Sequence, residues 1–169
     1  MDENLTDKID FKDKLLLLYR RNKLRFVIFF VIFIIATAVF IYFKEIEKKK
    51  NNLASELYIQ AGIYLSLDDK LNSKDLYEKI ILSKNKFYSI LSLNTILEKN
   101  LVKDKSKILE YFEIVENFNL SKTQKDLIIL KKALFLIKEN NSQEGEELIN
   151  KLIDSNSEFK KLAEEIINK

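Results

Sequence analysis

The chain has no cysteine, no histidine, no proline and no tryptophan, and only two glycines among 169 residues. Without cysteine there is no disulfide framework, no thiolate nucleophile and no lipid-modified cysteine to attach the chain to a membrane. The lack of histidine removes zinc-finger and zincin sites, c-type haem attachment and every histidine-based catalytic triad. The two glycines, Gly62 and Gly145, stand 83 residues apart, so neither a GxxxxGK[ST] nor a GxGxxG phosphate loop exists. A chain so short of turn punctuators, and rich in Leu, Ile, Lys, Glu and Asn, predicts an all-α fold. No run of alternating β-branched residues bounded by Gly or Pro offers a strand. The net charge of +3 is not gathered into a nucleic-acid footprint, so no nucleic-acid partner is expected. With 47% apolar residues and this length, there is room for one modest domain.

What is present is concentrated first in one segment. From Phe26 to Phe43 all 18 residues are apolar except Thr37, whose hydroxyl can bond a carbonyl one turn back. At 1.5 Å per residue a helix here is about 27 Å long, close to the thickness of a bilayer's hydrocarbon core. Tyr42 stands where an interfacial aromatic is expected. A soluble helix this apolar needs an enclosing core that the remaining chain can hardly supply, so Phe26 to Phe43 is read as a transmembrane helix and the lipid bilayer as its partner. Ala36-Thr37-Ala38 has the small-x-small spacing of a signal-peptidase site, but Val39 to Phe43 continue the apolar run beyond it. Residues 1–25 carry seven Lys/Arg, with Arg20, Arg21, Lys23 and Arg25 against the span, whereas the far flank has Lys44, Lys48, Lys49 and Lys50. This bias places the N-terminus in the cytoplasm and the bulk of the chain on the other side. Residues 1–25 form a basic tail in which Thr6-Asp7 and the following leucines allow a short amphipathic helix.

Residues 44–50 read as a charged juxtamembrane linker, in which Lys48 to Lys50 can touch anionic headgroups. Residues 51–169 read as a helical domain built of short pieces. Apolar doublets one turn apart recur, as in Leu76-Tyr77 with Ile80-Ile81 and Leu148-Ile149 with Leu152-Ile153, each painting one stripe on a helix. Polar breaks separate them, and three carry capping-box spacing: Ser121 with Gln124, Asn141 with Glu144, and Ser155 with Glu158. Sliding the first stretch by 72 residues aligns Ala61 with Ala133, Tyr64 with Leu136, Ser73 with Gly145, Tyr77 with Ile149 and Ile80 with Leu152. Half of that spacing is 36, about the length of the intervening stretch 87–118. Small residues at Ala61, Ser73, Ala133 and Gly145 let paired antiparallel helices approach closely, and the large ones fill the groove between them. In the middle stretch Leu93 and Lys105 stand in the small positions, which predicts an insertion of one or two residues between 100 and 105. The expected organisation is three helical hairpins, 51–83, 86–117 and 121–154, and a closing half-unit at 157–168.

The spacing of these small and large residues resembles the tetratricopeptide repeat, without the terminal proline that units of that family often carry. A basic tail with Arg20-Arg21, one span, and the Ala61/Ser73 and Ala133/Gly145 units together resemble the ancillary subunit of the SecYEG translocon of the bacterial inner membrane. The resemblance implies a non-enzymatic, single-pass inner-membrane protein with a periplasmic interaction domain, whose partners are the SecYEG translocon and periplasmic chaperones. It implies no cofactor and no small-molecule substrate.

Candidate chemistry is sparse. Asp68-Asp69 lacks the glycine and spacing of a calcium loop, and Glu144, Glu146 and Glu147 sit at a helix start where acids favour the dipole. Tyr58, Tyr64 and Tyr77 are candidates either for a peptide groove or for interhelical packing. Lys131-Lys132 either presents charge on a ligand-binding face or forms a solvated edge. A structural rival is a stator-type membrane rod like the b subunit of a rotary ATP synthase, which needs one continuous charged helix and a cytoplasmic body. The polar breaks argue against it.

Overall fold

The computed structural model describes residues 22–168. The basic tail, including Arg20 and Arg21 and the expected amphipathic helix, lies outside the described residues except for its last few positions. Among the described residues there is no strand and there are seven helices. They are α1 (Lys23–Ser66), α2 (Lys70–Leu82), α3 (Lys86–Lys99), α4 (Lys105–Glu116), α5 (Lys122–Lys138), α6 (Ser142–Asp154) and α7 (Lys160–Ile167). The chain divides into two compact units between Lys49 and Lys50. Residues 44–50, read as a charged juxtamembrane linker, are helical within the 44 residues of α1. Their mixture of Lys, Glu and Ile contains no residue that stops a helix, so the backbone hydrogen bonds continue through them.

Helix ends follow from local chemistry. At α5 the expected capping box is complete: the Gln124 amide N–H donates to Ser121 Oγ at 3.3 Å, and the Ser121 N–H donates to Gln124 Oε1 at 3.1 Å. Asp69, Asn85 and Asp104 cap α2, α3 and α4, each accepting a backbone N–H from the first turn. Asn141 precedes α6 as expected but makes no cap bond to the backbone; its amide donates to Glu144 Oε2 at 2.6 Å. Ser155 does not open the last helix. It closes α6, and Ser157 Oγ instead accepts the Phe159 N–H at 3.2 Å. Both glycines lie inside helices, so the left-handed turn residues are other types: Asp68, Lys84, Asn100, Asn140 and Asn156 have φ between 49° and 60°. Asn and Asp tolerate this region because the short side chain bonds locally.

Some landmarks of the domain from Lys50 onward recur at 36 or 72 residues. Helices α3 and α5 begin at Lys86 and Lys122, 36 apart, and the left-handed residues Asp68 and Lys84 recur 72 residues on at Asn140 and Asn156. The middle pair carries no net insertion, contrary to expectation. Instead α3 ends at Lys99 with left-handed Asn100, and the chain from Leu101 to Asp104 replaces the last helical turn. Val102 from this stretch is buried. Hydrogen bonds keep the same period. Lys86 Nζ donates to the Asn119 carbonyl, and Lys122 Nζ donates to the Ser155 carbonyl. Each lysine opens the first helix of a pair and ties down the carbonyl beyond the second. The Tyr58 hydroxyl lies 3.4 Å from Thr95 Oγ1, and 36 residues later Lys131 Nζ donates to Asn94 Oδ1 at 2.6 Å.

Two apolar clusters hold these helices. The larger joins Ala61, Tyr77, Ile80, Ile81, Ile96, Phe112, Val115 and neighbours from α1 through α5. The smaller joins Leu130, Ala133, Ile149, Leu152 and Ala163 from α5, α6 and α7. Full burial of one such side chain contributes about 1.5–3 kcal/mol, so the interleaved rows outweigh any single cap.

Candidate functional site

In the stretch Phe26 to Phe43 the apolar side chains of α1 are exposed, and none of the most apolar window is buried within the protein. This is one helix long and apolar enough to cross a membrane. The single polar side chain in the run is satisfied internally, because Thr37 Oγ1 donates to the Phe33 carbonyl at 2.8 Å. That bond removes the cost of an unpaired hydroxyl in hydrocarbon. Tyr42 packs edge-on against Phe43 with ring centroids 6.1 Å apart. Lys23 and Arg25 are exposed in the first turn of α1, on the N-terminal flank of the run.

The residues singled out for close helix approach are deeply placed. Ala61, Ser73, Ala133, Leu136 and Ile149 are fully buried, Tyr77 nearly so, Gly145 is buried and Tyr64 half-buried. The approach is tightest between α5 and α6. A Cβ added at Gly145 would lie 2.9 Å from the Ala133 carbonyl oxygen and 2.6 Å from Ile137 Cγ1. In the first pair Gly62 lies beside the approach position, and a Cβ there meets only the Tyr77 hydroxyl at 3.9 Å. Ser73 takes the Gly145 position there, and its Oγ is buried without a hydrogen-bond partner.

The tyrosines pack between helices. Tyr58 lies edge-on to Tyr77 at 5.4 Å and tilted to Tyr88 at 5.7 Å between centroids. Burial, followed by the neighbouring Tyr58, holds the Tyr77 hydroxyl above its ordinary pKa, so it stays protonated. Burial does the same to Tyr111, helped by the adjacent Glu78 carboxylate. Lys131 and Lys132 are both engaged: Lys131 with Asn94, and Lys132 Nζ with Glu116 Oε2 at 3.0 Å. Partial burial pulls the Lys131 pKa below its ordinary value. Asp69 is used as a helix cap, and Asp68 pairs with Lys70 at 3.1 Å. No cluster of three or more His, Cys, Asp or Glu able to hold a metal occurs among the described residues.

One hollow was not foreseen from the sequence. Where α3 stops a turn short, Ile96, Val102, Ile108 and Phe135 floor a space of about 230 Å³, with Lys103 and Lys138 beside it. Its sequence signal is the shift from the 36-residue register at Asn100. The paired lysine–carbonyl ties at Lys86 and Lys122 were also missed, although the 36-residue recurrence of a lysine at the helix start was visible.

No family model matches the chain, and none of the curated proteins or solved structures compared with it is similar to it.

Proposed function

We propose that this chain is a membrane-anchored protein-interaction module, a tetratricopeptide-like array held on the periplasmic side of the bacterial inner membrane by the single span Phe26 to Phe43. In this reading it is an accessory of the SecYEG translocon that links the translocon to periplasmic chaperones, and it performs no chemistry of its own. The observation that carries the reading is the combination of one exposed apolar helix with helical pairs recurring at 36 residues, about the length of a tetratricopeptide unit. Close approach at Ala133 and Gly145 supports it, because tight pairing inside each unit is what such arrays require. The Lys/Arg bias supports the orientation. A stator-type rod is disfavoured because the long helix ends at Ser66 and the six following helices are short.

The first test is topology. A periplasm-active reporter fused after Lys169 should work and a cytoplasm-dependent one should not, and the full chain should stay in the pellet after alkaline carbonate washing. The partner is tested by cross-linking the tagged full chain in intact membranes and probing for the translocon channel. Correct topology without a translocon cross-link would leave an anchored module and remove the export role. The reverse topology would remove both.

A further inference from the structure

The turn between α2 and α3 holds a lysine where the backbone disfavours one. Of the five left-handed residues, Asp68, Asn100, Asn140 and Asn156 are types that tolerate a positive φ, whereas Lys84, at φ 57°, is not. Lys84 is exposed, and its amine takes part in no ion pair among the described residues. A local preference overridden without a compensating contact points to a role outside the fold. Apolar side chains that the core does not take up flank the turn. Leu82, the last residue of α2, is 55% exposed, and Phe87, in the first turn of α3, is 63% exposed with its ring edge-on to Tyr88 at 5.0 Å. Phe159, 72 residues on from Phe87, packs against the smaller cluster, so an aromatic at this place in the repeat can be drawn inward. The charge around the turn has one sign: from Lys79 to Leu97 there are three lysines, Lys79, Lys84 and Lys86, and no Asp or Glu.

We propose that this turn is a contact with the surface of an anionic bilayer, with Leu82 and Phe87 entering the acyl boundary and Lys79 and Lys84 among the lipid phosphates. The turn is tied to α1, because Asn85 Nδ2 donates to Asn51 Oδ1 at 2.6 Å. Asn51 lies in a second stretch free of acids, Lys48 to Ser55, which opens with three lysines. It also stands only eight residues beyond Phe43, so even a fully extended chain keeps it within about 29 Å of the end of the apolar run. An exposed aromatic and aliphatic side chain beside unpaired amines is the combination that partitions to a membrane interface. The turn from Ser66 to Lys70 makes the contrast. It is flanked by Leu67, 72% exposed, and Leu71, 65% exposed, but Asp68 and Asp69 stand between them and are repelled by an anionic surface. Along α1, Ser66 is about 22 Å from Asn51. The α2–α3 turn thus adds a second, reversible attachment to the one made by the span.

The inference rests on the span reading of Phe26 to Phe43 but not on any translocon role. The chain has no native tryptophan, so Phe87→Trp in the full chain supplies a single indole reporter at an exposed position. In vesicles of phosphatidylcholine and phosphatidylglycerol with brominated acyl chains, its fluorescence should be quenched relative to the same vesicles without bromine. Leu67→Trp, equally exposed on the acidic turn, should be unquenched and emit further to the red. Adding Lys84→Asn removes one charge and suits the left-handed backbone, so the folded state is kept, as far-UV circular dichroism checks. It should lower the ratio of docked to free turn about fivefold, read as lost quenching. Vesicles of phosphatidylcholine alone should act in the same direction. Equal quenching of Phe87→Trp and Leu67→Trp, or none in either, would overturn the proposal, as would quenching that Lys84→Asn leaves unchanged. Flotation of the vesicles after carbonate washing reads the span separately. Chain that floats with an unquenched indole refutes the turn contact alone, and chain that fails to float refutes the anchor and the contact with it.

Discussion

The two glycines provide a matched pair of substitutions with opposite expected signs. In a helix interior Ala is favoured over Gly by about 1 kcal/mol, so Gly62→Ala, whose new methyl meets only one hydroxyl at ordinary contact distance, should stabilise by about 0.5–1 kcal/mol. The same methyl at Gly145 would sit 2.9 Å from the Ala133 carbonyl oxygen and 3.2 Å from the Ile137 amide nitrogen. Those are backbone atoms of α5 and cannot rotate away. Relief requires α5 and α6 to separate by several tenths of an ångström, which loosens the cluster of Leu130, Ile149 and Leu152. Overpacking of this kind costs about 1–3 kcal/mol. Subtracting the propensity gain leaves Gly145→Ala destabilised by up to about 2 kcal/mol, and Gly145→Leu by more. Thermal unfolding of the full chain in detergent, followed by far-UV circular dichroism, should move the midpoint up by a few degrees for Gly62→Ala and down for Gly145→Ala. If both variants gained stability, the close approach of α5 and α6 would be wrong, and the small-residue logic of the repeat with it.

Phe112→Ala removes a fully buried ring shared between helix pairs and should cost about 3–5 kcal/mol in urea unfolding, whereas Phe87→Ala, 63% exposed, should fall within about 0.5 kcal/mol of the parent. Asp104 titrates below its ordinary value of 3.8, chiefly because the Ser106 hydroxyl donates to it at 2.6 Å. Its contribution is therefore complete above pH 3.8 and is lost as pH falls through the lower folded value. Asp104→Asn keeps the capping oxygen but cannot titrate. Unfolding midpoints at successive pH values below 5 should fall less steeply for it than for the parent, and an unchanged slope would refute the cap's role in acid sensitivity.

The sequence by itself determined the all-helical class, the apolar span and most of the turn positions, because these depend on local physics. Composition without Gly or Pro punctuation, an unbroken apolar run, and Asn, Asp or Ser next to each turn need no distant partner to act. It also carried the 72-residue recurrence, since alternate pairs place small residues at the same depth. Only the tertiary structure decided what depends on neighbours. Residues 44–50 read as a charged linker, and the backbone through them is helical, within α1. The expected insertion in the middle pair turned out to be a helix that ends a turn early, with Val102 buried where a further turn would lie. Deletion and redirection of one turn leave the same residue count, so spacing alone could not separate them.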